Sequence, residues 1–127
     1  MIIQQAVIPP WRAPGTVTVA NGKWSWRADY AGEFVSVGGY IPTLGSGPGT
    51  STDIQLRNET DGNKDILSTV GAFEVDSATN LLEGQVVNPA NATFAKDDVI
   101  DLDVDAVSTN PADASVWAVV NLFMDDV

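Results

Sequence analysis

Two stretches of this chain alternate with a period of two, and that period excludes a helix. Ile100, Leu102, Val104 and Ala106 interleave with Asp101, Asp103 and Asp105. Further on, Val116, Ala118, Val120 and Leu122 fall on one side of a run whose other side holds Trp117, Val119 and Phe123. Successive side chains of a strand point to opposite faces, whereas a helix repeats every ~3.6 residues. The first stretch is expected to bury its aliphatic side and present its aspartates to water, a row that also discourages edge-to-edge pairing. The second is apolar on both sides. It is therefore expected to be covered twice, inside a sandwich or at a subunit contact.

Turn signals separate further short runs of the same kind. Val17 and Val19, the pair Asn21-Gly22, and then Trp24 and Trp26 read as a hairpin closed by a tight two-residue turn. A short strand is expected around 34–37, followed by the loop "TLGSGPGTST". Ile54 and Leu56 enter a second hairpin that turns at Asp61-Gly62-Asn63 and returns through Ile66. "AFEV" at 72–75 is another strand, and "SATNLLEGQ" within 76–95 has room for one helical turn. Residues 1–15 form an expected extended arm, because Pro9, Pro10 and Pro14 favour polyproline geometry. Ile2, Ile3, Val7, Ile8 and Trp11 give that arm apolar surface, so it must lie on its own body or on a neighbour. The whole predicts an all-β chain: a small antiparallel β-sandwich, jelly-roll-like, over residues 16–127, with the arm in front.

Absences narrow the function. The chain has no histidine and no cysteine, which removes the commonest general base, disulfides and thiolate metal sites. Net charge is −11, which argues against nucleic acid as partner, since phosphate binding needs clustered cations. The charge is also uneven. Residues 1–28 hold Arg12, Lys23 and Arg27 and no acid, while residues 29–127 hold all 17 acids against Arg57, Lys64 and Lys96. No run reaches membrane-spanning length, and the N-terminus lacks the basic start and continuous apolar region of a signal peptide.

No candidate site outweighs its architectural explanation. An EF-hand that opened at Asp101 would need glycine at its sixth position and glutamate at its twelfth, where this chain has Ala106 and Ala112. Asp61, Asn63 and Asp65 share the acid spacing but fit hairpin chemistry better. "GSGPGT" lacks the Gly-Lys-Ser/Thr of a phosphate loop. Trp11, Trp24, Trp26, Tyr30 and Tyr40 have the chemistry of a sugar platform, but aromatic side chains on strands more often pack in cores or interfaces. "NET" at 58–60 and "NAT" at 91–93 match the glycosylation sequon. No catalytic residue, cofactor or metal ligand is expected.

From about residue 33 onward the chain resembles a small β-sandwich module of tailed-bacteriophage virion proteins. The resemblance rests on "VGGYIPTLGSGPGTSTDIQLRNETDGNKDIL" and "FAKDDVIDLDVDAVSTNPADASVWAVVNLF". Such modules run from a Gly/Thr/Pro loop into an alternating strand, a polar turn and an Ile-Leu-Ser/Thr strand. A Gly-Asp-x-Ile entry to an Asp-Val-Asp strand follows, then a closing apolar strand. Here the glycine of that entry is replaced, within Lys96-Asp97-Asp98-Val99-Ile100. The resemblance implies a non-enzymatic capsid decoration, or cement, protein on the outer surface of the head shell. It further implies a homotrimer whose partner is the major capsid protein. Ile3, Val7, Ile8, Trp11 and Arg12 of the arm, with Trp117, Val119 and Phe123 of the last strand, are the expected contact residues. The arm is expected to be separable, so that removing residues 1–15 would leave the sandwich folded. The alternative is a tail or fibre module that holds host-surface glycans on its tryptophans.

Overall fold

The computed structural model describes residues 1–125. Its strands are β1 (Ile2–Val7), β2 (Trp11–Arg12), β3 (Ala20–Arg27), β4 (Ala31–Tyr40), β5 (Ser51–Asn58) and β6 (Lys64–Asp65). They continue with β7 (Leu67–Thr69), β8 (Gly71–Glu74), β9 (Val86–Val87), β10 (Thr93–Phe94), β11 (Val99–Ala106) and β12 (Ser115–Met124). There is no helix among the described residues. All pairings are antiparallel, and two sheets face each other as a β-sandwich. The first runs β1-β12-β4-β10, with β2 continuing the β1 flank of β12. The second runs β3-β11-β5-β6, with β8 also on β5. A small ribbon, β7-β9, stands beside them.

The core lies between the sheets and is built by alternation. Val116, Ala118 and Val120 of β12 and Phe34 and Val37 of β4 turn inward from the first sheet. Ile100, Leu102 and Val104 of β11 meet them from the second, with Ile54 and Leu56 of β5 and Phe73 of β8. Phe94 ties the layers together, its ring centroid 5.5 Å from Trp26 and 5.4 Å from Phe34, edge-on to both.

Residues 1–15 lie on their own body. β1 pairs with β12 from Ile2↔Met124 to Val7↔Val119, and beyond Pro9-Pro10 the chain pairs again, Trp11↔Val116 and Arg12↔Ser115. Ile8 and Trp11 are core residues, 5% and 4% exposed. The first sheet therefore includes β1 and β2, so among the described residues 1–15 are part of the sandwich.

The hairpin expected at 16–27 does not form. Asn21-Gly22 sits inside β3, at a bulge where three residues, 21–23, stand against Asp103 alone. Gly22 adopts φ of 64° and its N–H donates to Asp103 Oδ1 at 2.8 Å. A glycine in the left-handed region serves a bulge as well as a turn. The second hairpin forms as expected: β5 pairs with β6, and Gly62 and Asn63 take φ of 70° and 57° between them. The strand expected at 34–37 extends over Ala31–Tyr40. The helical turn expected within 76–95 is absent; Leu81 bridges Tyr40 and Glu83 bridges Ala72 instead.

Asp97, the residue that replaces the glycine expected at the entry to β11, takes φ of 73°. Aspartate is among the few residues that tolerate this conformation. Asp98 closes the same turn, its Oδ2 accepting from Ala95 N–H at 2.9 Å and Asn58 Nδ2 at 3.0 Å.

Candidate functional site: two unlike outer faces

Two of the three aspartates of the row are not solvated; only Asp105 is exposed. β11 is a central strand between β3 and β5, and Asp101 and Asp103 are 4% and 5% exposed. Asp101 receives Ser25 Oγ at 2.6 Å on Oδ1 and Arg57 Nη2 at 3.0 Å on Oδ2. Asp103 receives the Gly22 N–H on Oδ1, and Arg57 Nε lies 3.5 Å from its Oδ2. All four carboxylate oxygens are thus engaged, with the guanidinium seated where a cation would sit. Among the described residues no acidic group has the arrangement of a metal site. Because the row lies on a central strand, it does not guard an edge either.

The rim of this face is acidic. Asp105 is the extra residue where β11 slips against β5. Partial burial, then the charges of Asp103, Asp65 and Asp53, raise its carboxyl above the ordinary 3.8. Glu59 is raised too, first by a hydrogen bond with Asp101 and then by that residue's charge. A raised acid binds its proton more tightly when folded. Its ionisation therefore opposes folding at neutral pH, and stability falls as pH rises through the window just above 3.8. Asp105→Asn should raise the melting temperature at pH 7 by about 2 °C or less, since the group is exposed and screened. Melting curves at pH 7 and pH 3 check this, because the gain should vanish at the lower value.

The outer face of the first sheet is of the opposite kind. Register across β1, β12 and β4 sorts its side chains into rows. Ile3, Phe123 and Ala31 form one; Gln5, Asn121 and Glu33 the next, where Asn121 Nδ2 donates to Glu33 Oε1 at 3.3 Å. Val7, Val119 and Ser36 follow, with Val35 the extra residue of a bulge beside them. Trp117 then lies over Gly38, where a Cβ would fall 2.6 Å from the indole Nε1, so only glycine lets the ring rest on the strand. Arg12, Ser115 and Tyr40 end the series. Ile3 and Val7 are 59% and 61% exposed and Val35 and Tyr40 both 45%, while Trp117, Val119 and Phe123 are half-buried.

Six of the expected contact residues, Ile3, Val7, Arg12, Trp117, Val119 and Phe123, therefore share this one face. Ile8 and Trp11 do not. Both point inward and are spent on the core, which corrects the expectation that Trp11 anchors an external contact. Val35 and Tyr40 were missed, and the signal was present: both sit on the β4 run opposite its buried Phe34 and Val37. The aromatic platform is not assembled. Trp24 and Trp26 pair with Leu102 and Ile100 and pack on the core, Trp11 is inside, and Tyr40 lies on the other sheet. Compared with known proteins, the chain matches no family model, no curated protein and no solved structure.

Proposed function

We propose that the chain is a non-enzymatic structural protein of a tailed-bacteriophage virion, which decorates and cements the outer surface of the head shell. The observation that carries this reading is the contrast between the two outer faces. One presents the exposed Ile3, Val7, Val35 and Tyr40 beside the half-buried Trp117, Val119 and Phe123, crossed by the polar row Gln5, Asn121 and Glu33; the other holds Asp101 and Asp103, buried on Arg57, with acids such as the exposed Asp105 at its rim. Exposed apolar side chains gathered on one face mark an interaction surface, and the exposed acids at the rim of the other favour solvent. In this reading the outward face of the first sheet lies on the major capsid protein and the acidic face points into solution. Cementing is then mass action: a protein that binds the assembled shell stabilises it in proportion to occupancy. A homo-oligomer multiplies weak contacts through effective concentration. The rival reading, a glycan-holding tail or fibre module, needs aromatic rings gathered at a surface, and Trp11, Trp24 and Trp26 are turned to the core.

Quantitative mass spectrometry of purified virions tests the placement. Hundreds of copies that scale with the major capsid protein are expected; a handful would move the chain to the tail. Changing Val35 and Tyr40, both exposed, to glutamate tests the face. The paired variant should keep its fold and bind shells about 10- to 100-fold more weakly, because charges brought into an apolar contact must be desolvated. Unchanged binding would remove this face from the interface.

A further inference from the structure

The sheet edges are unequally defended. β3 carries Lys23 and Arg27 and the bulge at 21–23; β6 and β10 are two residues long; β8 is covered at Ala72 by the bridge from Glu83. These are the usual devices against edge-to-edge pairing. β1 has none of them. Its six residues, Ile2-Ile3-Gln4-Gln5-Ala6-Val7, include no charge, proline or glycine, and they pair with β12 in unbroken register. Among the described residues no strand lies on its other side.

The free edge is also self-complementary. Ile8 N–H donates to the Ala118 carbonyl at 3.1 Å, in the register that pairs Ala6 with Val120 and Gln4 with Leu122. In an antiparallel ladder the hydrogen-bonded pairs alternate. The even-numbered residues of β1 thus turn their N–H and C=O toward β12, and Ile3, Gln5 and Val7 turn theirs to the open edge. A strand that satisfies all three must place an equally spaced triplet opposite them, with side chains on the same face. A second β1 related by a two-fold axis at Gln5 does so: Ile3 meets Val7, Gln5 meets Gln5, and Val7 meets Ile3.

We propose that β1 pairs antiparallel with β1 of a second copy of this chain, joining the two first sheets into one continuous sheet. The pairing satisfies the backbone groups of Ile3, Gln5 and Val7 in both copies, sets Ile side chains against Val, and puts no like charges opposite each other. It leaves the outward face free and doubles its width, since the Ile3 and Val7 rows of the two copies adjoin. The closed two-fold makes the unit a dimer, where the virion resemblance implies a trimer. The inference stands on edge geometry alone, so failure to bind shells would not touch it.

Sedimentation velocity of the full chain from about 1 to 100 µM is the test. A concentration-dependent dimer is expected, with a dissociation constant in the micromolar range for so short a contact. Gln5→Lys places two ammonium groups across the axis and should raise that constant at least 10-fold without lowering the melting temperature. In a chain without cysteine, Gln5→Cys should give a disulfide-linked dimer on mild oxidation, because directly opposed residues stand ~5.5 Å apart at Cα. A native chain that stays monomeric at 100 µM, or forms a trimer, overturns the proposal. So does a Gln5→Lys variant that dimerises as tightly as the native chain, or a Gln5→Cys variant that does not cross-link.

Discussion

Replacing Arg57 by alanine should cost about 3 kcal/mol of stability and lower the melting temperature by roughly 10 °C. Its guanidinium is the cation that pairs with both central aspartates of β11, bonded to Asp101 at 3.0 Å and 3.5 Å from Asp103. The side chains of those two aspartates are 5% and 8% exposed, and that of Arg57 is 22%. Removing it leaves two neighbouring carboxylates sequestered from water with no opposing charge, the arrangement that makes a half-broken buried pair more costly than no pair. The cost should therefore fall when the acids go with it. In an Arg57→Met background, Asp101→Asn together with Asp103→Asn should recover part of the loss, and a double-mutant cycle gives the coupling. Urea denaturation of the four variants measures it. A loss below about 0.5 kcal/mol for Arg57→Ala would mean that the pair behaves as an exposed one.

That example shows where sequence reading stops. The alternation of β11 was legible, and it assigned Ile100, Leu102 and Val104 to the core correctly. What covers the aspartate side was not legible, because Arg57 lies 44 residues away in the chain and reaches Asp101 only through strand pairing. Asn21-Gly22 failed for a related reason. Its local chemistry specifies a positive φ but not whether the chain reverses there, and the deciding partner, Asp103, is 81 residues on. The outward rows of β12 were legible because both sides of that strand are apolar, which narrows its surroundings to a core and a second contact. Between residues 76 and 95 no period exists to be read. Order there comes from the two-residue strands β9 and β10, from isolated bridges to β4 and β8, and from bonds such as Asn80 Nδ2 to the Ile41 carbonyl at 2.9 Å.

Deleting residues 1–15 should unfold the protein instead of releasing a separable arm. Three losses coincide. The β1 and β2 pairings leave one flank of β12 without partners over most of its length, from Ser115 to Met124. Ile8 and Trp11 leave the core, where they pack in one cluster with Val116, Ala118 and Val120. The inward side of β12 is then opened to water along its new edge. Truncating a buried tryptophan to alanine costs ~3–5 kcal/mol by itself, against a total stability of roughly 5–15 kcal/mol for a domain. Trp11→Ala should accordingly lose about 4 kcal/mol, and the deletion should abolish cooperative melting followed by circular dichroism. If the shortened chain melts within a few degrees of the native one, the N-terminal strands are accessory and the sandwich is sustained by its other strands. The prolines that make this segment read as an arm instead set its path. Pro9 and Pro10 separate β1 from β2, and the inward side chains on either side of them, Ile8 and Trp11, fix both strands to the same flank of β12. Loss of shell binding in a truncated chain would therefore report loss of fold, and only changes on the outward face, such as those at Val35 and Tyr40, can test docking by itself.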